Sequence, residues 1–187
     1  MTAPYTWRNL ATPEQFSMLL DGQLWRTGPV LHEPDCPDDT NWRAHEASID
    51  CPPNVVLVRL SAAWIWKCLD APPARWQVTS VDRSRLQTMP HARFAVCDLK
   101  LEPQDVLRLR NSRVTSPGRT AIDIARYEER LLENDIARLL RDLLIIHGTT
   151  FGKVDEIISR VEDAQHLPYK RRCLERIARA GRLDEPV

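Results

Sequence analysis

The chain has 187 residues, enough for one large domain or for a main domain with a small module attached. Apolar residues make up 43% and charged residues 28%, a balance that supports a packed core. Twenty-six basic and 26 acidic side chains cancel to a net charge of zero, which argues against a general nucleic-acid coat. No apolar run approaches the roughly 20 residues that a bilayer-spanning helix needs. Met1 to Leu10 lacks the basic and apolar regions of a secretion signal, so a cytoplasmic location is expected. The charge is unevenly spread. Residues 1–58 hold three basic and eight acidic side chains (−5), residues 59–130 hold 13 and eight (+5), and residues 131–187 hold ten of each. A local basic surface in the middle segment suits a phosphate or an acidic partner.

In chain order, Thr12-Pro13-Glu14-Gln15 reads as a helix start, with Thr12 as N-cap and Gln15 closing a capping box, and Gly22 as the stop. Leu24-Trp25-Arg26 and Val30-Leu31-His32 predict a small hairpin around Thr27-Gly28-Pro29. After a loop rich in Pro and Asp, Asp39 or Thr40 caps a helix to about Ser48, stopped by Cys51-Pro52-Pro53. Val55 to Val58 reads as a buried strand or the lead into a helix. Ser61 to Cys68 reads as helix, with Trp64 and Trp66 on different faces, and Pro72-Pro73 ends it. The alternation in Trp76 to Val81 predicts a half-buried strand, and Arg93 to Cys97 a second β-prone run. Leu107 to Arg110 and Arg113 to Thr115 flank Asn111-Ser112 as a hairpin with a two-residue turn.

From Ser116 onward the pattern is helical. Ser116-Pro117 is an N-cap followed by a proline at the first helical position, opening a helix to about Glu129. Leu132, Ile136, Leu139, Leu140, Leu143 and Leu144 form one apolar stripe, with Gly148 as its stop. Val154, Ile157, Ile158 and Val161 mark a third helix. Pro168 opens a fourth, with Cys173, Leu174, Ile177 and Ala178 inward and Gly181 at its end. The expected fold class is α+β: a β-containing middle packed on a C-terminal helical bundle.

Recognisable catalytic motifs are absent: there is no P-loop, no dinucleotide GxGxxG, no HExxH helix and no GxSxG elbow. The five cysteines are odd in number, widely spaced and without a CxxC pair, which reads as five small hydrophobes. His32, Cys36, His45 and Cys51 are the one set with potential zinc ligands. They lack the tight ligand pair of a zinc turn, so no metal is expected there, and no cofactor anywhere. His32, His45, His91, His147 and His166 each sit near a turn or an element end.

Two basic features stand out. In Val114-Thr115-Ser116-Pro117-Gly118-Arg119-Thr120-Ala121-Ile122-Asp123-Ile124-Ala125-Arg126, helical spacing brackets Asp123 between Arg119 and Arg126. Such a cluster is either an ion-pair network that fixes the helix to the preceding hairpin or a polar face for a partner or phosphate. Lys170-Arg171-Arg172 opens the last helix at the positive end of its dipole, where cations are disfavoured, and this points toward an anionic partner. Arg108, Arg110 and Arg113 on the predicted hairpin complete the set of candidate contact residues.

With these residues in view, the chain resembles the AbiEi (abortive-infection) antitoxins and transcriptional regulators of type IV toxin–antitoxin systems, in particular members that can also carry a C-terminal nuclease-like domain. Leu19 to Arg26 looks like the end of a winged-helix unit entering its wing, and Arg59 to Trp64 is similar to the family's Ser-Ala-Ala helix start. Val114 to Arg126 is similar to the signature TSPxRTxxDxAR, the most specific landmark, and Arg171 to Glu185 looks like the family's final helix. The winged-helix unit is shortened, because only about 20 residues precede Leu24, and no basic residue stands beside Gln15, Phe16, Ser17 and Met18 where a recognition helix is expected. No nuclease-like domain is expected after that helix. The resemblance implies a shortened winged-helix-like unit over residues 1–53 and an antitoxin-like α+β domain over 54–187. It further implies a non-enzymatic regulator whose partners are a cognate toxin, operator DNA or both. Two alternatives stand beside it: a partner-binding module that has lost DNA binding, and an enzyme whose site assembles Asp123, Arg119 and His147.

Overall fold

The computed structural model describes residues 8, 10–27, 30–52, 54–80, 92–150 and 154–182. Gly28, Pro29, Pro53, Val81, His91 and the end of the last landmark, up to Glu185, lie outside the described residues. Helix α1 (Thr12–Leu20) is followed by the antiparallel hairpin β1 (Trp25–Thr27) and β2 (Val30–His32). The cap of α1 lies one residue earlier than expected. The Ala11 N–H donates to the Glu14 carboxylate at 2.9 Å, and this local bond places Thr12 inside the helix. Gly22, at φ 71°, turns the chain out of α1 as expected.

Helix α2 (Thr40–Asp50) is capped by Asp39, whose carboxylate accepts the Trp42 N–H at 2.7 Å. Ala44 and Ala47 enter the same apolar core as the main sheet, and Ser112 Oγ donates to the Ala44 carbonyl at 2.7 Å. The main sheet consists of β3 (Val55–Leu57), β4 (Trp76–Ser80), β5 (Phe94–Val96), β6 (Val106–Leu109) and β7 (Ser112–Thr115). Its order is β5-β4-β3-β7-β6. The pairs β3–β4 and β6–β7 are antiparallel, and β3–β7 and β4–β5 are parallel. Helices α3 (Arg59–Ile65), α4 (Pro117–Tyr127), α5 (Glu133–Thr150), α6 (Val154–Asp163) and α7 (Lys170–Gly181) complete the fold. Together they make it α+β. No helix among the described residues is long and apolar enough to cross a membrane.

Strand alternation divides the sheet into two faces. Val55, Leu57, Val78 and Val114 join the large core shared with the helices. Val56 and Val58 instead meet Leu99 in a second, smaller cluster edged by Cys97, Leu101, Val106 and Tyr127. Helix α4 is the hub of the helical layer, touching α3, α5, α6 and α7. The helices approach closely at Gly118, where a Cβ would come within 2.7 Å of Ile157 Cδ1 and 2.9 Å of His147 Nδ1.

Four local expectations are corrected. Strand β4 is buried along both faces, because the Gln77 side chain accepts the Leu60 N–H and the Gln77 backbone N–H donates to Ser61 Oγ. The β6–β7 turn is Arg110-Asn111 instead of Asn111-Ser112, since Leu109 pairs with Ser112. Helix α5 runs through Gly148 to Thr150, and Leu132 stands before it at 75% exposure, outside the stripe. In α7, Ala180 and Arg176 are buried where Ala178 was expected.

The Ser116 cap is present: its hydroxyl accepts the Arg119 N–H at 3.3 Å. Replacing Ser116 by Ala is expected to lower stability by about 1 kcal/mol, the usual cost of a lost cap, in denaturant melts.

Candidate functional site

Ten consecutive residues of α4, Pro117 to Arg126, are buried, and three of them are charged. Arg119 (8% exposed) donates from Nε to Asp123 Oδ2 at 2.8 Å and from Nη1 to Asp105 Oδ2 at 2.6 Å. Asp105, wholly buried, sits at the end of a 3-10 turn (Pro103–Asp105). It also accepts the Glu102 N–H at 3.0 Å and Arg160 Nη1 of α6 at 2.5 Å. Arg160 reaches on to Glu102 at 3.2 Å. The backbone joins in, because the Ser116 N–H donates to the Asp105 carbonyl at 2.8 Å. The signature and the base of the β6–β7 hairpin are therefore one ion network.

The electrostatics of the network follow from its burial. Burial alone would raise Asp105, but the Arg160 hydrogen bond, the Glu102 N–H and the Arg119 charge outweigh it and hold the carboxyl below its ordinary range. Burial would likewise discharge Arg119, yet Asp123 and then Asp105 hold it protonated more firmly than usual. Asp123 goes the other way. Burial pushes its carboxyl up against the pull of Arg119 and Arg126. Its Oδ1 receives no hydrogen bond among the described residues, and Arg126 Nη1 is 3.6 Å away. Arg126 instead donates to the Pro168 carbonyl at 3.0 Å and to the Tyr127 hydroxyl at 2.6 Å.

The C-terminal carbonyls of α4 are met by arginines from other elements. Arg176 donates to the Ala125 and Glu128 carbonyls at 3.1 and 2.8 Å, Arg172 to that of Arg126, and Arg59 to that of Tyr127 at 2.9 Å. The last carbonyls of a helix have no partner within it, so cations are favoured there on hydrogen-bonding and dipole grounds alike. Lys170 plays the same part for α6, donating from Nζ to the Glu162 and Ala164 carbonyls. This explains cations at the start of α7, where its own dipole disfavours them. Arg171 alone of the three is fully exposed, and it pairs with Glu175 at 2.8 Å.

Arg119, Asp123 and Arg126 thus lie inside the fold, and Lys170 and Arg172 are engaged with neighbouring helix ends. Arg108, Arg110 and Arg113 stand apart on the β6–β7 hairpin, with Lys100 nearby, and none of the four has a carboxylate partner among the described residues. Arg108 and Arg113 are directly opposite in the antiparallel register. They line a cavity of about 790 Å³ on the second face of the sheet, together with Val56, Leu99, Leu101 and Val106. A smaller cavity of about 480 Å³ borders the ion network, but its Arg119, Arg126 and Arg160 are matched by Asp105, Asp123 and Glu102. His147 packs against Gly118, and burial lowers its pKa. No group of three or more potential metal-ligating side chains comes together among the described residues.

Asp105 and Arg160 were not singled out in the sequence. A signal for Asp105 existed: Glu102-Pro103-Gln104-Asp105 has the proline and the acidic residue three positions on that mark a short helical start. Arg160 carried none, because its partner is 55 positions away. The site defines an α+β protein with an internally neutralised helix and an outward cationic hairpin. No family model matches the chain, and no curated protein matches it either.

Replacing Arg119 by Met leaves Asp105 and Asp123 buried without their shared partner. A loss of about 3–5 kcal/mol is expected, the cost of breaking a buried pair from one side, measured by chemical denaturation. Asp105 also sets a pH dependence. Its folded pKa lies below the ordinary 3.8, so its contribution is complete above 3.8 and is lost as pH falls through the lower folded value. Arg160→Gln removes the largest lowering influence, so melting temperatures at neutral and strongly acid pH should converge relative to those of the unaltered protein.

Proposed function

We propose that this chain is a non-enzymatic, antitoxin-like regulator acting in the cytoplasm by binding a partner toxin. The observation that carries the reading is the division of its cations. Arg119 and Arg126 of the signature and Lys170, Arg172 and Arg176 of α7 hold the fold together, whereas Arg108, Arg110 and Arg113 have no carboxylate partner among the described residues. The resemblance over the Val114 to Arg126 stretch supplies the functional class. A protein partner is favoured over operator DNA by the N-terminal unit. There Phe16, Leu20 and Trp25 are exposed, and the Gln15 amide donates to the Leu10 carbonyl at 3.1 Å.

The test is co-expression with the product of the neighbouring gene. Restored growth of cells making that product, with co-elution of the two purified proteins, is the expected outcome. Neither rescue nor co-elution would remove the antitoxin reading. Tight, sequence-selective retardation of upstream DNA that depends on Gln15 and Ser17 would instead give the N-terminal unit a direct reading role.

A further inference from the structure

We infer that the cavity on the second face of the sheet is a docking groove for an acidic, amphipathic segment of a partner protein. This deepens the antitoxin-like reading and rests on it for the identity of the partner, though not for the chemistry of the groove. The floor is apolar, made by Val56, Leu99, Leu101 and Val106, and the rim carries Lys100, Arg108 and Arg113.

The argument begins with a local conflict. Like charges directly opposite on antiparallel strands repel and weaken the pair. Arg108 and Arg113 occupy such a position, and among the described residues neither has a hydrogen-bond or ion-pair partner. Elsewhere this chain neutralises its arginines with care: Arg119 has two carboxylates, and Arg176 has Glu133 and two carbonyls. Glu102 lines the same groove, yet its carboxylate is taken by Arg160 and Gln104. An unrelieved cationic pair beside an apolar floor is complementary to carboxylates that flank apolar side chains.

The same features weigh against nucleic acid. Phosphates offer nothing to cover the apolar floor. An extended segment that alternates apolar and acidic residues meets both demands, because successive side chains point to opposite faces. Its apolar row covers the floor, and its acidic row, turned away from the floor, is met by the long rim side chains of Lys100, Arg108 and Arg113.

The experiment uses the full chain and fluorescence anisotropy with a labelled peptide alternating Leu and Glu. Saturable binding is expected, with a peptide alternating Ser and Glu and a DNA duplex both binding more weakly. The double variant R108Q/R113Q should weaken peptide binding about tenfold or more, a loss of about 1.4 kcal/mol. Its melting temperature should hold or rise, since the repulsion is gone. Leu101→Ser is the second variant and should weaken binding through the floor alone. No saturable binding, equal binding of the Ser–Glu peptide or the duplex, or binding unchanged in R108Q/R113Q would overturn the inference. A dimer that dissociates in R108Q/R113Q would also overturn it, by assigning the groove to a second copy. Toxin rescue undiminished in R108Q/R113Q would sink the groove and leave the antitoxin reading intact. Groove-dependent peptide binding without any toxin rescue would do the reverse.

Discussion

The burial of α4 on every side is the constraint from which the rest of the structure follows. A helix with one solvent-facing side can place its charges there, but Pro117 to Arg126 has no such side. Every charge and every terminal carbonyl of α4 therefore needs an internal partner. Ser116 caps one end, Asp105 and Asp123 enclose Arg119, and Arg59, Arg172 and Arg176 close the other end. Buried ion pairs roughly break even against their desolvation. The driving force thus comes from Ala121, Ile122, Ile124 and Ala125 in the core, and the ions determine how the helix is oriented.

Charge counts along the chain consequently say less about the surface than they first suggest. The +5 balance of residues 59–130 includes Arg59, Arg119 and Arg126, all of which point into the fold. Setting those three aside leaves ten basic side chains, of which Arg108, Arg110 and Arg113 lie on the β6–β7 hairpin and Lys100 beside it. Long arginine side chains in a helical bundle have two uses, satisfying helix ends and facing a partner, and only coordinates separate them.

What was legible in the sequence was set within about four residues. The Asp39 and Ser116 caps, the existence of the two hairpins and that of the C-terminal helices depend on local hydrogen bonds and apolar spacing, and these elements are present, though not all with the expected ends. The ion-pair reading of Arg119 and Asp123 was legible for the same reason, being an i, i+4 relation. The errors arise where tertiary demands override the local signal. Asn111-Ser112 looked like the turn, but Leu107 and Leu109 must share the core face with Val114. A one-residue shift would turn them all outward. The turn therefore falls on Arg110, at φ 48°, despite its less favourable side chain. Gly148 did not end α5, because Val154 lies only 3.4 Å from where its Cβ would be and packing supports that turn of the helix.

The buried network and the outward arginines are mechanically one device. Asp105 immediately precedes β6, and β7 ends at Thr115, next to Ser116, the cap of α4. The Asp105 carbonyl receives the Ser116 N–H, and its carboxylate is held by Arg119 of α4 and Arg160 of α6. Both ends of the hairpin are thus fixed at one point to two helices, while its far end at Arg110-Asn111 projects away. A hairpin anchored only by its ladder would lose order under the repulsion of Arg108 and Arg113. Anchored at its base, it can hold two facing guanidinium groups at a defined separation, and rigid presentation lowers the entropy lost on binding. The Val114 to Arg126 stretch is thus the mount of the hairpin. Its Arg119, with Asp105 at the start of the hairpin, decides where Arg108 and Arg113 stand.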